Sequence, residues 1–275
     1  MQKKIITTAI PQAPHVSLSL KDSDQLSPND LKTMLNYQQA LLPDPTEIPK
    51  YLKAGFIAKP LKVISGDFYD HWLGPDGSLY LFLGDMVGHG PSAAYGAMLI
   101  KGYLSEYKDK KVHILEIIKG LNAKLCRDQK GGYLTLMFTG IIIKITPQGV
   151  LKSVSAGHPP LVIIPASGKH KILPRHPDDG MQLFGLPYDS NEISTAQRYQ
   201  LQAGDRIYLY TDGVTERLNP AGKGFGLQNL VNYLQENKGL DLAKLLNGVE
   251  QKLNDFAGGR EPNDDLTLIG LEYTP

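Results

Sequence analysis

The order in which strand-like and helical patterns follow one another restricts the fold of this chain more than any other feature. Alternating or β-branched runs occupy 54–58, 79–83, 134–145, 151–155, 161–164, 206–210 and 266–273. Helical spacing of apolar residues occupies 92–106, 112–126, 227–235 and 240–256. Strands come in groups rather than singly between helices, which argues against a doubly wound parallel sheet. The pattern predicts an α+β fold with antiparallel sheets. At 275 residues, 41% of them hydrophobic, the chain can build one sizeable core.

The N-terminal part reads differently. Residues 1–28 mix Pro11, Pro14 and Pro28 with Ser, Asp and Lys, as expected of a loosely packed arm. Ser27-Pro28-Asn29-Asp30 then marks a helix start, with Ser27 as cap, Pro28 in the first turn and Asp30 closing a capping box. Leu31, Met34, Leu35, Gln38, Leu41 and Leu42 follow at helical spacing, and Pro43 and Pro45 end the helix. Such a stripe either packs on its own domain or serves as a linker or dimerisation helix over 28–42. The expected division is an arm and helix over 1–46 and a compact domain over 47–275.

Composition removes several function classes. A formal net charge of +1 gives no basic excess for nucleic acid or an anionic membrane surface. No apolar run approaches the roughly 20 residues that span a bilayer. The stretch 5–10 behind Lys3 and Lys4 is too short for a signal peptide, so a cytoplasmic location is expected. The single cysteine, Cys126, rules out an intrachain disulfide and a cysteine-based zinc site. It lies in a helical stretch and reads as a small core residue.

Four short segments carry the chemistry: Ser65-Gly66-Asp67-Phe68-Tyr69-Asp70, Gly84-Asp85-Met86-Val87-Gly88-His89-Gly90, Tyr210-Thr211-Asp212-Gly213 and Asn263-Asp264-Asp265-Leu266-Thr267. Each places an aspartate at the edge of an apolar run beside glycine or a small or polar residue. An aspartate there is costly to bury without a counter-charge or a metal. Glycine beside it allows a tight turn and close approach of an ion. Converging aspartates without cysteine make an oxygen-only site, which suits Mg²⁺ or Mn²⁺ rather than zinc. Singly, each segment reads as a strand followed by a turn; the order of all four is far more specific.

With these segments the chain resembles the bacterial SpoIIE/RsbU-type branch of the metal-dependent protein phosphatases, relatives of protein phosphatase type 2C. The resemblance begins at Gln39-Ala40-Leu41-Leu42-Pro43 and continues through Gly66–Asp70, Asp85–Gly90 and the Ala93-Ala94 helix. It takes in Ser155-Ala156-Gly157-His158-Pro159-Pro160, Gly204–Glu216 and Asp264-Asp265-Leu266-Thr267. It implies an α-β-β-α sandwich of two antiparallel sheets flanked by helices. It further implies a serine/threonine phosphatase that uses two divalent cations, Mn²⁺ or Mg²⁺, to activate water, with no phosphoenzyme. By the family pattern Asp85 bridges the two ions and the Met86 carbonyl ligates one. Asp212 and Asp264 ligate the other, and Asp67 binds directly or through water. Asp265 is either a ligand or a support behind the ligands. Asp85 and Asp67 are the residues expected to carry catalysis.

The same resemblance implies a phosphorylated regulatory protein as substrate, an anti-anti-sigma factor of the STAS type. It also implies an upstream sensor or activator, or a homodimer through the 28–42 helix. The rival reading is a catalytically weak or inactive phosphatase-like binding module, which would be marked by lost acidic ligands; all four acidic positions are present. His89 and His158 read as loop histidines in supporting roles. Asp70 is expected to face solvent and Asp205 to close a Gly-Asp turn. Three positions depart from the family: Ser65 replaces a frequent glycine, Met86 is larger than usual, and no arginine before Asp67 matches the phosphate-gripping residue of the animal relatives. Lys59 and Lys62 are the nearby cations.

Overall fold

The structure, a computed structural model, describes residues 27–43, 47–131, 136–173, 183–187 and 196–275. The arm over 1–26 and the first part of the expected 134–145 strand lie outside the described residues. The elements run α1 (Pro28–Ala40), β1 (Leu52–Lys59), β2 (Asp67–Leu73), β3 (Leu79–Met86), α2 (Pro91–Ser105), α3 (Ile114–Asp128), β4 (Phe138–Ile145) and β5 (Val150–Ala156). They continue with β6 (Leu161–Ile164), β7 (Lys171–Leu173), β8 (Gln197–Gln200), β9 (Arg206–Tyr210), α4 (Asp212–Thr215), α5 (Leu227–Glu236), α6 (Leu242–Ala257) and β10 (Leu266–Tyr273).

Two five-stranded sheets result, ordered β1-β10-β9-β6-β7 and β2-β3-β4-β5-β8. Every ladder between these strands is antiparallel. The layers follow from period-two alternation. In β4, Ile141, Ile143 and Ile145 face the other sheet and meet Leu161, Ile163, Ile207, Leu209, Ile269 and Leu271. Ile142 faces outward into a second core with Ala97, Ile100, Leu104, Ile117 and Leu121 of α2 and α3. Beyond the other sheet, Val162, Tyr208, Tyr210 and Leu268 pack on Leu230, Leu234, Leu245, Leu246 and Val249 of α5 and α6. The three cores make four layers, the α-β-β-α sandwich expected from the sequence. Both faces of β3 are covered, which is why Leu79–Leu83 reads as a continuous apolar run.

Helix α1 begins as the sequence predicts. The Ser27 hydroxyl accepts from the Asp30 amide at 3.2 Å, and the Asp30 carboxylate accepts from the Ser27 amide at 2.9 Å. None of its residues is buried. Its firmest tie is a side chain: Gln38 Nε2 donates to the Ser65 carbonyl at 2.7 Å and Gln38 Oε1 accepts from the Ser65 amide at 3.1 Å.

Two expectations are corrected here. Cys126 is half-buried on α3 rather than a core residue, because Leu121 and Leu125 take the inward positions. Asp70 does not face solvent; it is 2% exposed, on the edge strand β2 where α2 packs against it. Lys108 Nζ lies 3.0 Å from Asp70 Oδ2 and Lys101 Nζ lies 3.9 Å from Oδ1. Lys101 also donates to the Tyr69 carbonyl at 2.7 Å. Burial pulls the Lys101 ammonium down to about 8, with Asp70 opposing. Asp70→Asn removes the charge that offsets a buried cation. The expected result in urea unfolding is a loss of about 3 kcal/mol of stability, with metal binding unaffected in the molecules that remain folded.

Candidate metal centre

Four chain segments meet at one end of the sandwich. Strands β2 and β3 pair so that Asp67 stands directly opposite Asp85. Residues opposed in this way share a face, with Cβ atoms about 5 Å apart, and like charges there repel. Next to them, Asp212 opens α4 immediately after β9, and Asp264 closes the loop that enters β10. The hydrogen bonding knits these segments together. Asp67 Oδ2 accepts from Thr211 Oγ1 at 2.7 Å and from Thr267 Oγ1 at 2.8 Å. Thr267 N donates to Thr211 Oγ1 at 3.0 Å, and Thr211 N to the Thr267 carbonyl at 3.0 Å. Each threonine precedes or follows an aspartate segment, so the two tie β2 to the β9 and β10 ends of the other sheet.

Electrostatically the cluster is one-signed. Burial raises the Asp67 carboxyl; the Thr211 and Thr267 hydroxyls oppose that rise, while Asp265 and Asp212 add to it. Burial also raises Asp85, reinforced by the carboxylates of Asp67, Asp212, Asp264 and Asp265. Asp212 is raised by burial and then by the carboxylates of Asp264 and Glu216. Among the described residues no three such side chains already stand around one point at metal-ligand spacing. The donor set nonetheless fits hard divalent cations, being oxygen-only, anionic and without cysteine.

Asp265 has different surroundings from its neighbours. It is 3% exposed; its Oδ1 accepts from the Leu61 amide and its Oδ2 from the Gly66 amide, both at 2.6 Å. This carboxylate straps β10 to the loop before Asp67. Asp265→Asn puts an amide donor against one of these backbone donors. We expect a loss of about 2 kcal/mol, visible as a lower urea midpoint, together with weaker function through a displaced Asp67.

The loop after β3 depends on glycine at two points. Gly88 and Gly90 have φ of 94° and 80°, a region that favours glycine, and Gly90 precedes Pro91 at the start of α2. Met86 is buried, and its side chain fits because α2 offers Gly96; a Cβ on Gly96 would stand 2.5 Å from Met86 Cε. The departure at Met86 is thus matched by the helix above it. Ser65, the other departure, is used: its Oγ accepts from the Asp67 amide at 3.1 Å.

The histidines separate. His89 is exposed on the glycine loop. His158 is buried, 3.0 Å from Thr139 Oγ1, and Thr139 is the cross-strand partner of Asp85. Burial pushes the His158 imidazole down to about 3, so it is neutral at physiological pH. A neutral buried imidazole supports strand β4 rather than donating protons to a leaving group. Asp205 closes its turn as expected, accepting from the Gln202 and Ala166 amides at 3.0 Å each. The sequence alone does not single out Gln38, Thr139 or Thr211; Thr211 alone has a local signal, sitting between β9 and Asp212.

A family model described as Stage II sporulation protein E (SpoIIE) matches residues 75–274, and the chain belongs to that family. Among curated proteins it is 26% identical over 263 residues to Protein IcfG of Synechocystis sp., a match covering 85% of this chain and 40% of IcfG. It is 27% identical over 256 residues to the phosphoserine phosphatase RsbU of Bacillus subtilis, covering 92% of this chain and 72% of RsbU. The chain therefore spans less than half of IcfG and about three quarters of RsbU. Among solved structures, the SiaA-PP2C domain of Pseudomonas aeruginosa has a TM-score of 0.74 at 19% identity, covering 89% of this chain and 96% of that one. The catalytic domain of the serine/threonine protein phosphatase PstP, in complex with two manganese ions, has a TM-score of 0.56 at 14% identity, covering 80% and 97%. At these identities the likeness is one of fold, and the fold is that of the PP2C phosphatases. No helix among the described residues is long and apolar enough to cross a membrane.

Proposed function

We propose that this chain is a metal-dependent serine/threonine protein phosphatase. The observation that carries the reading is the meeting of Asp67, Asp85, Asp212 and Asp264 at one end of the sandwich, with Asp67 opposite Asp85. Asp85 is the group best placed to be shared, since it has Asp67 across the strand pair and lies in the field of Asp212 and Asp264. Asp212 and Asp264 are offered as ligands of one ion, and Asp85 with the Met86 carbonyl as ligands of the other. Asp67 acts directly or through water, with its orientation fixed by Thr211 and Thr267. Asp265 is read as the strap that positions Asp67 and the 61–66 loop, both its oxygens being engaged by backbone amides. When bound, Mn²⁺ or Mg²⁺ would acidify water and neutralise charge gathering on phosphoryl oxygens.

The protein's own contribution is placement. Asp67 and Asp85 sit on strand ends, Asp212 on the first turn of α4, and Asp264 in the loop two residues before β10. The buried, neutral His158 and Thr139 back the strand next to Asp85. Among the described residues no cysteine or histidine stands in the aspartate cluster as a nucleophile, which supports direct attack by water over a phosphoenzyme. The substrate class we favour is a phosphoserine on a regulatory protein of the STAS anti-anti-sigma type in a partner-switching pathway. That rests on family membership and on the name of RsbU. The segment over 1–46 is read as an arm and a helix for an upstream sensor or a second copy, with α1 reaching the centre through the Gln38–Ser65 pair.

The test is hydrolysis of phosphoserine, phosphothreonine and phosphotyrosine peptides with Mn²⁺, with Mg²⁺ and with chelator. Metal-dependent release of phosphate from the first two is expected. A folded chain that releases none with either metal would instead be a binding module.

A further inference from the structure

Beside Asp264 lies a small cavity of ≈ 70 Å³, with Lys59, Gly213, Arg217, Glu250 and Asp264 in its walls. It has room for several waters at roughly 10–15 Å³ each, the size of one phosphoryl or carboxylate group. Arg217 follows α4 by two residues and is 7% exposed. Its Nη2 donates to the Arg260 carbonyl at 2.7 Å, while its Nη1 is buried and has no hydrogen-bond partner among the described residues. Glu261 lies within its field, but among the described residues no ion pair joins Arg217 to a carboxylate. A guanidinium cannot shed its proton, so an unused donor on a buried permanent cation is costly unless an anion supplies the acceptor. Lys59 is the second cation of the cavity. Its side chain is 56% exposed at the same wall and is paired with Glu250, a partner that an incoming anion can replace.

We propose that this cavity receives an anionic group of the substrate, with Arg217 as the fixed cation and Lys59 as the movable one. The inference rests on the phosphatase reading above and supplies a group that the chain otherwise lacks: no arginine before Asp67 serves that purpose. The planar guanidinium offers Nη1 to an oxygen while Nη2 stays tied to the Arg260 carbonyl, so the cation is oriented before substrate arrives. Two sources share this chemistry, the phosphoryl group itself and an acidic side chain flanking the phosphoserine.

The experiment is steady-state kinetics with Mn²⁺ on p-nitrophenyl phosphate and on two phosphoserine peptides, one with a flanking aspartate and one without. The chains compared are wild type, Arg217→Gln, Arg217→Lys and Lys59→Gln. Arg217→Gln should raise KM about tenfold or more, the scale of one charge-assisted hydrogen bond, with a smaller change in kcat. Arg217→Lys should recover part of the loss and Lys59→Gln should show a lesser rise. If the phosphoryl group is the anion, KM rises for all three substrates. If an acidic flank is the anion, it rises only for the aspartate peptide. Unchanged KM for every substrate in both folded glutamine variants overturns the proposal. Should Arg217→Gln fail to fold, Lys59→Gln decides alone, since its exposed side chain carries no packing. A wild-type chain inactive with every metal overturns the phosphatase reading, and the substrate pocket falls with it; that outcome differs from an active enzyme whose variants are unchanged.

Discussion

Asp85→Asn is expected to abolish metal-dependent phosphate release while making the metal-free protein slightly more stable. The two effects have opposite signs for one reason. Asp85 faces Asp67 across the β2–β3 pair and lies in the field of Asp212, Asp264 and Asp265. Without a cation these carboxylates repel, and neutralising one of them relieves up to about 1 kcal/mol of strain. With a cation the same carboxylate would, on the proposed reading, be the shared ligand. Its loss removes charge stabilisation worth several kcal/mol, so kcat/KM should fall by about 10³ or more. Mn²⁺ at a hundred times its dissociation constant should stabilise the wild type by about 2.7 kcal/mol, and the variant far less. Thermal unfolding with and without Mn²⁺, run beside the activity assay, reads both effects. A variant less stable than wild type without metal would show that Asp85 holds the fold rather than an ion.

Gly213→Ala has the largest expected effect on folding among conservative changes near the centre. A Cβ on Gly213 would stand 1.8 Å from the Asp265 carbonyl oxygen. That oxygen is backbone, so no side chain can swing away to make room. Asp265 is itself strapped to the Leu61 and Gly66 amides, and Asp212 and Asp264 are the immediate neighbours of the two clashing residues. The substitution should cost about 3 kcal/mol or more and weaken metal binding in whatever folds, because it parts Asp212 from Asp264. Gly102→Ala is the internal comparison. Gly102 lies inside α2 with nothing within 4 Å of an added Cβ, so alanine there should add about 0.5–1 kcal/mol. Urea midpoints for the two variants should move in opposite directions.

How much of this was legible beforehand depends on the range over which each feature is encoded. Antiparallel sheets in an α+β fold were legible because the grouping of strands and helices is a property of the chain order; the four-layer sandwich came only from the family resemblance. The four aspartates were legible because each ends an apolar run beside a small residue. Strand β2 was not, since Asp70 and His71 interrupt its apolar pattern; their burial depends on Lys101 and Lys108, more than thirty residues away. Strand β8, Gln-Arg-Tyr-Gln at a sheet edge, has no apolar alternation to read. The strap from Asp265 spans 199 residues to Gly66, and the Gln38–Ser65 pair spans 27. Neither leaves a trace in local periodicity. Arg217 was passed over for the same reason: a buried guanidinium with one nitrogen left unused can be recognised only once the fold shows what surrounds it.

The central claim is that these carboxylates hold divalent cations. Calorimetric titration of Mn²⁺ into the wild type and into Asp85→Asn tests it most directly. The account predicts saturable binding of two ions per chain in the wild type, with binding lost or greatly weakened in the variant. A wild type that binds no Mn²⁺, or a variant that binds it as tightly as the wild type, would contradict it.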